Sequence, residues 1–199
     1  MVDHGKSARE AVILSGARLP QGKLLGALTP FTAVQLGQMA VRAAVERSGI
    51  DPGSIDELII GQVLPAGSGQ AMPRQVSLGA GIPPHVGGMQ LSKVCGSSLK
   101  AVMLATAMIR AGDGEQFVAG GMESMNRAPY LLHDARFGYR LGDGSLKDGL
   151  VMDGLWCSFE KHHMGNAAEW VAGQYGLTRE ELDQYAYESH MKTIAAQQA

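Results

Sequence analysis

The sequence predicts an α/β chain built on a mainly parallel sheet with helices on both faces. Three observations lead there. Short apolar runs alternate with longer segments of helical period as far as Ala119. Those runs are too uniformly apolar for a sheet with one wet face. The composition, 45% hydrophobic with 27 glycines in 199 residues, suits a tightly turned chain burying a sizeable core as one or two domains. No internal repeat of roughly 20–50 residues is evident, which excludes a solenoid.

The elements follow in order. Ala11–Ala17 (AVILSGA) is a short β-rich run, and Arg18-Leu19-Pro20 turns out of it. Thr32 opens a helix whose apolar side reads as Val34, Leu36, Met39, Ala40, Ala43 and Ala44, and Gly49 ends it. Ile55–Leu64 is the second strand. Gly67-x-Gly69 invites a dinucleotide-loop reading, but Met72 stands at the third glycine position and Pro73 follows, so that reading fails. The apolar run Gly88–Val94 reads as buried, with Gln90–Val94 as the third strand, and stops at Cys95. Gly96-Ser97-Ser98 is a small-residue turn with good N-cap chemistry. Leu99, Val102, Met103, Thr106 and Ile109 then recur at the period of a buried helix face, with Ala101, Ala105 and Ala107 filling the gaps. Arg110-Ala111-Gly112 stops this helix, and Gln116–Ala119 is the fourth strand.

After Asn126 the composition shifts. Ala128–Leu155 is rich in glycine and aspartate without sustained periodicity, and such stretches in compact chains are usually functional or interfacial. Thr178 and Glu181 form a capping box for a last helix running toward Ala199, with Leu182, Tyr185, Ala186 and Ser189 on one face.

Charge and composition remove several classes. With 17 basic against 19 acidic residues and no basic cluster, nothing favours nucleic-acid binding. The N-terminal residues carry no apolar signal core, and the apolar stretches read as too short to span a bilayer, so a soluble protein without a transit peptide is expected. Cys95 and Cys157 have neither ligand-like spacing nor a disulfide pattern, which fits a reducing, cytoplasmic setting.

Cys95 is the foremost chemical candidate. It stands at a strand-to-helix corner, where the positive end of a helix favours the anionic, nucleophilic form of a thiol. Geometry alone leaves open whether it is reactive or a small buried hydrophobe. His162 and His163 are adjacent, so their side chains diverge and a shared metal site is not expected. Glu123 reads as a carboxylate tied to backbone N–H groups in preference to a general acid or base. Asp143, Asp148 and Asp153 lack the spacing of a calcium loop and read as solvated turn residues. Cys157 reads as a packing residue.

The segments KVCGSSLKAVMLATAMIRAGD and FVAGGMESM closely resemble the nucleophile region of the thiolases, the acetyl-CoA acetyltransferase and 3-ketoacyl-CoA thiolase family. One departure is Ser98, where the family usually has glycine; another is Leu19, in place of a threonine. The resemblance implies a layered αβαβα fold of two similar halves, of which this chain corresponds to the N-terminal half and part of the loop domain. It implies residues 1–126 as the N-terminal domain and 127–199 as the partial loop domain. It also makes Cys95 the acylated nucleophile. DGLWCSFEKHHMGNAAEWVA resembles the family's run that lines the coenzyme A site, putting Leu155, His163 and Met164 along the pantetheine and acyl pocket.

Further expectations follow from the resemblance. The reaction is reversible condensation of two acetyl-CoA to acetoacetyl-CoA, or thiolytic cleavage of a 3-ketoacyl-CoA, through an acyl-cysteine. Coenzyme A is substrate or product and no cofactor is required. A homodimer or tetramer is expected for the full-length form. The family's Gly-His-Pro, Cys-x-Gly-Gly-Gly and Asn-Glu-Ala-Phe segments do not occur in this sequence, so a fragment is the simplest reading. Two alternatives stand beside it: a non-catalytic half that binds coenzyme A or a complementary chain, and a condensing enzyme for carrier-protein substrates. The Gly-Gly-Met-Glu-Ser-Met and His-Met-Gly segments argue against the second.

Overall fold

The computed structural model describes residues 9–199, which divide into two compact units meeting at Gly154 and Leu155. The domain division expected from the sequence, at 126 and 127, follows the composition shift; the packing units divide later.

Three parallel strands form the sheet of the first unit: β1 (Glu57–Gly61), β2 (Gly87–Leu91) and β3 (Phe117–Gly121). Their spatial order is β2-β1-β3, with Glu57 opposite both Gly87 and Phe117. Helix α1 (Ala33–Ser48) precedes β1, α2 (Met72–Ala80) joins β1 to β2, and α3 (Ser97–Ala111) joins β2 to β3. Right-handed crossovers running in opposite directions along a sheet must use opposite faces. Accordingly Leu58 and Ile60 point into a core with Val34, Val41 and Val45 of α1 and Met72 and Val76 of α2. Ile59, one residue out of phase, points the other way, onto Ala101 and Ala105 of α3. The parallel, doubly covered sheet expected from the sequence is present.

Each helix start and stop has a local cause. Thr32 caps α1 through a complete capping box with Gln35, and Gly49 closes it in the left-handed conformation. Its buried line is Val34, Gly37, Val41 and Val45, so only Val34 of the expected apolar side is on it, and Met39 is exposed. Alanines on both faces blurred the period. Gly37 sits where a Cβ would lie 2.8 Å from Met122 Sδ and 3.1 Å from Val76, which lets α1 approach α2 and the end of β3.

Four sequence expectations need correction. Ala11–Ala17 forms no strand, and Ile13 is 85% exposed. An apolar run becomes a strand only where a neighbouring ladder accepts it. Here the Ser15 hydroxyl donates to Ala44 C=O and the Arg47 guanidinium to Gly16 C=O, tying the segment to α1. The third strand runs Gly87–Leu91, not Gln90–Val94, and its glycines lie exposed at the sheet edge. On α3 the faces are exchanged: Ala101 and Ala105 meet the sheet, while Leu99 is 66% and Met103 55% exposed. The small residues win that face because they let the helix lie close to β1. Finally, Val94–Ala111 is long and apolar enough to span a membrane by length and composition, although its packing is that of a sheet-covering helix.

The stretch from Ala128 to Leu155 is not wholly irregular. It holds an antiparallel pair, β4 (Tyr130–Leu131) with β5 (Lys147–Asp148), and a π-helical turn at Leu150–Leu155. The second unit carries α4 (Met164–Tyr175) and α5 (Arg179–Gln198). The expected capping box of Thr178 with Glu181 is formed on α5. Neither helix buries a residue.

Candidate functional site

The strand order reverses between β1 and β3. In open α/β sheets ligands bind beyond the C-terminal ends of the strands at such a reversal. Two glycines end the strands there, Gly61 and Gly121. A Cβ on Gly61 would stand 2.6 Å from Ser97 C and Cβ, and one on Gly121 would stand 2.7 Å from Ser98 Cβ. Only glycine lets the first turn of α3 rest directly on both strand ends. The same contact accounts for Ser98: its extra atoms sit over a glycine, and the residue remains exposed.

Cys95 leads into that turn. It is exposed, and among the described residues no hydrogen bond engages its sulfur. The backbone around it is tightly closed: Gly96 N–H donates to Lys93 C=O at 3.0 Å and Ser97 N–H to Val94 C=O at 3.1 Å. Val94 has φ of 49°, an uncommon conformation for a β-branched residue. It is this reversal that stops β2 at Leu91 and turns the chain into α3. The N-cap of α3 is Gly96, with no side-chain cap, so the expected N-cap role of the serines is not what they perform. Ser97 is the first helical residue, and its hydroxyl points back into the turn. The first amides of such a helix are left without intrahelical partners and present partial positive charge. A thiol and the start of a helix without a side-chain cap thus coincide at the C-terminal ends of the strands.

Glu123 follows β3 and behaves as the sequence suggested. Its Oε2 accepts from Val63 N–H at 2.8 Å and Leu64 N–H at 3.3 Å, stapling the loop after β1 to the loop after β3. Its other oxygen is buried, without a partner among the described residues. A cavity of 610 Å³ lies between Arg18–Leu24, α1 and Met122–Asn126, and Cys95 is not among its lining residues.

Leu155, His163 and Met164 all belong to the second unit, and a short hairpin gathers them. Trp156 bridges His163 in antiparallel fashion, which brings the neighbours of Leu155 beside those of Met164. His163 is the N-cap of α4, its Nδ1 accepting from Gly165 N–H at 3.0 Å, so a neutral ring carries its proton on Nε2. Leu155 and His163 are half-buried and Met164 is exposed. Cys157 starts the hairpin turn and is only half-buried; its sulfur accepts from Glu160 N–H at 3.4 Å. It is therefore a turn residue as much as a packing one. What sequence reasoning missed is the paired role of Gly61 and Gly121, whose signal was two glycines ending equal-length apolar runs.

The family profile described as "Thiolase, N-terminal domain" matches residues 11–199. An acetyl-CoA acetyltransferase of Cupriavidus necator is 49% identical over 190 residues, covering 96% of this chain and 48% of that protein. One from Pseudomonas aeruginosa is 47% identical, covering 94% and 48%. Among solved structures, an acetyl-CoA acetyltransferase from Syntrophomonas wolfei superimposes with a TM-score of 0.90 at 40% identity, over 96% of this chain and 48% of that one. The chain spans about half the length of the relatives it matches.

Proposed function

The chain belongs to the thiolase family, matched through its N-terminal domain, and we propose that it is the nucleophile-bearing half of an acetyl-CoA acyltransferase. The observation that carries this reading is an exposed Cys95 with an unengaged sulfur, at the start of α3 and at the strand-order reversal. In the proposed reaction the Cys95 thiolate attacks the carbonyl of an acyl-CoA thioester. The thioester bond breaks, coenzyme A leaves as the thiolate and takes up a proton, and an acyl-cysteine remains. The α-carbon of a second acetyl-CoA, deprotonated by a base outside this sequence, then attacks that acyl group and frees the cysteine. Run backward, coenzyme A cleaves a 3-ketoacyl-CoA. Developing negative charge on the thioester oxygen needs a donor, and the Cys95 backbone N–H is the one this chain offers.

Leu155, His163 and Met164 are proposed to line the pantetheine and acyl pocket, within a partial loop domain of residues 127–199. Coenzyme A enters as substrate and product, and no metal or redox cofactor is called for by the chemistry. A cytoplasmic homodimer or tetramer is the proposed setting. The test mixes this chain with a polypeptide corresponding to the second half of the Cupriavidus necator relative, then measures acetoacetyl-CoA thiolysis and traps the acyl-enzyme for peptide mass spectrometry. Turnover with the acyl group on Cys95 supports the reading. Stable association without turnover or adduct favours the alternative, a half that binds coenzyme A or its complement but performs no chemistry. Motifs absent from this sequence are what recommend that second reading.

A further inference from the structure

The turn that carries Cys95 contains a conformation that does not hold itself. Val94, at φ 49°, is β-branched, and a left-handed conformation of this kind persists only where the surroundings over-determine it. The valine side chain is exposed, so its own packing is not the restraint. We propose that Ser97 is a positioning residue: its hydroxyl clamps the Val94 turn and thereby holds the Cys95 thiol at the start of α3. This rests on the nucleophile reading above.

The hydrogen bonds close around one atom. Lys93 N–H donates to Ser97 Oγ at 2.8 Å, and that hydroxyl donates to Val94 C=O at 2.6 Å. The clamp thus grips the amide of the residue before Val94 and the carbonyl of Val94 itself, while Ser97 N–H adds a second bond to the same carbonyl at 3.1 Å. Ser97 is 3% exposed, and its Cβ lies against Gly61, so the hydroxyl has no alternative partner in water. Serine is a common helix cap, yet here it leaves α3 uncapped and spends both its donor and its acceptor on the preceding turn. If the clamp opens, Val94 relaxes toward an ordinary φ and Cys95 leaves its place at the start of α3.

The experiment compares the 199-residue chain with its Ser97→Ala, Val94→Gly and double variants. Each is treated briefly with iodoacetamide, and peptide mass spectrometry gives the labelling rate of Cys95 relative to Cys157 in the same molecule, with circular dichroism as the folding check. The wild-type ratio should be well above one, Ser97→Ala should lower it several-fold, and Val94→Gly should leave it near wild type, because glycine takes a left-handed φ without strain. In the double variant most of the ratio should return. A merely structural serine would not be rescued by a change at position 94. An unchanged ratio in Ser97→Ala, or a double variant as low as Ser97→Ala, overturns the clamp. If Ser97→Ala does not fold, recovery of folding by glycine at 94 supports the clamp and failure to recover overturns it. A wild-type ratio near one overturns the nucleophile reading itself, and so is distinguishable from failure of the clamp alone.

Discussion

Two turns in this molecule carry a cysteine, and they solve the same problem in opposite ways. Lys93–Ser97 in the first unit and Cys157–Lys161 in the second each contain a non-glycine residue of positive φ, Val94 at 49° and Lys161 at 57°. Each needs a polar atom to satisfy its crowded backbone. In the second turn the cysteine supplies it: the Cys157 sulfur accepts from Glu160 N–H, while Cys157 C=O takes Lys161 N–H at 3.0 Å. In the first turn the Ser97 hydroxyl does so, and the Cys95 sulfur is left unengaged. A thiol used as an acceptor is part of the scaffold. A thiol relieved of that duty by a neighbouring serine is available for chemistry.

The largest test of this contrast is substitution of each cysteine. With the complementary half supplied, Cys95→Ser should reduce acyl transfer on the order of 10⁴-fold, the scale seen when a covalent nucleophile is removed. Cys157→Ser should leave it within about twofold, since a hydroxyl is a better hydrogen-bond acceptor than sulfur. An acyl adduct elsewhere in Cys95→Ser would show the wrong residue had been chosen. Next in size, the intact chain should label at Cys95 roughly tenfold faster than at Cys157 under brief iodoacetamide, because Cys95 is exposed, whereas Cys157 is half-buried and its sulfur engaged. Equal labelling would erase the distinction between the turns.

A pair of glycine substitutions probes what stands beneath each region. Gly61→Ala places a Cβ 2.6 Å from the Ser97 backbone, where nothing flexible can move aside, and should destabilise the first unit by about 1–3 kcal/mol in chemical denaturation. Gly173→Ala, in α4 with nothing within 4 Å, should stabilise that helix by about 0.5–1 kcal/mol. Opposite signs are expected, and the same sign would refute the account.

The smallest effect concerns acid. Gln116 N–H, followed by Glu115 N–H, donates to the Asp56 carboxylate and holds its pKa below the ordinary 3.8. A depressed folded-state pKa gives stability that is present above 3.8 and fades as pH falls through the lower folded value. Asp56 is exposed, so solvent screening keeps the contribution within about 1 kcal/mol. Asp56→Asn should be slightly less stable than wild type at neutral pH, with the gap closing in acid. A gap that widens in acid would contradict the hydrogen-bond assignment.

Much of this was legible in the sequence, where the signal was local. Thr32, Gly49, Gly112 and the Thr178–Glu181 pair announce helix ends because caps depend on a few adjacent residues. The central strand and the cysteine corner could be read for the same reason. Partners could not. Ala11–Ala17 has strand-like composition, but pairing is decided by what lies alongside it. On α3 two apolar stripes compete, and the sheet selects Ala101 and Ala105 for their size, which periodicity cannot express. The role of Ser97 was equally hidden, since capping and back-bonding look alike in one dimension.

The order of the strands also bears on how the turn around Cys95 is assembled. β1 and β3 pair across some sixty residues of sequence, from Glu57 to Phe117, while β1 and β2 pair across half that distance. Contacts so remote in sequence close slowly, because the loop must be ordered before any pairing compensates for it. Gly61 and Gly121 meet the start of α3 only when that remote pairing is made. The contact that seats the Cys95 turn on the strand ends thus depends on the pairing of β1 with β3, the more remote of the two in sequence. Until β3 pairs with β1, the turn that carries Cys95 lacks one of the two glycines it rests on.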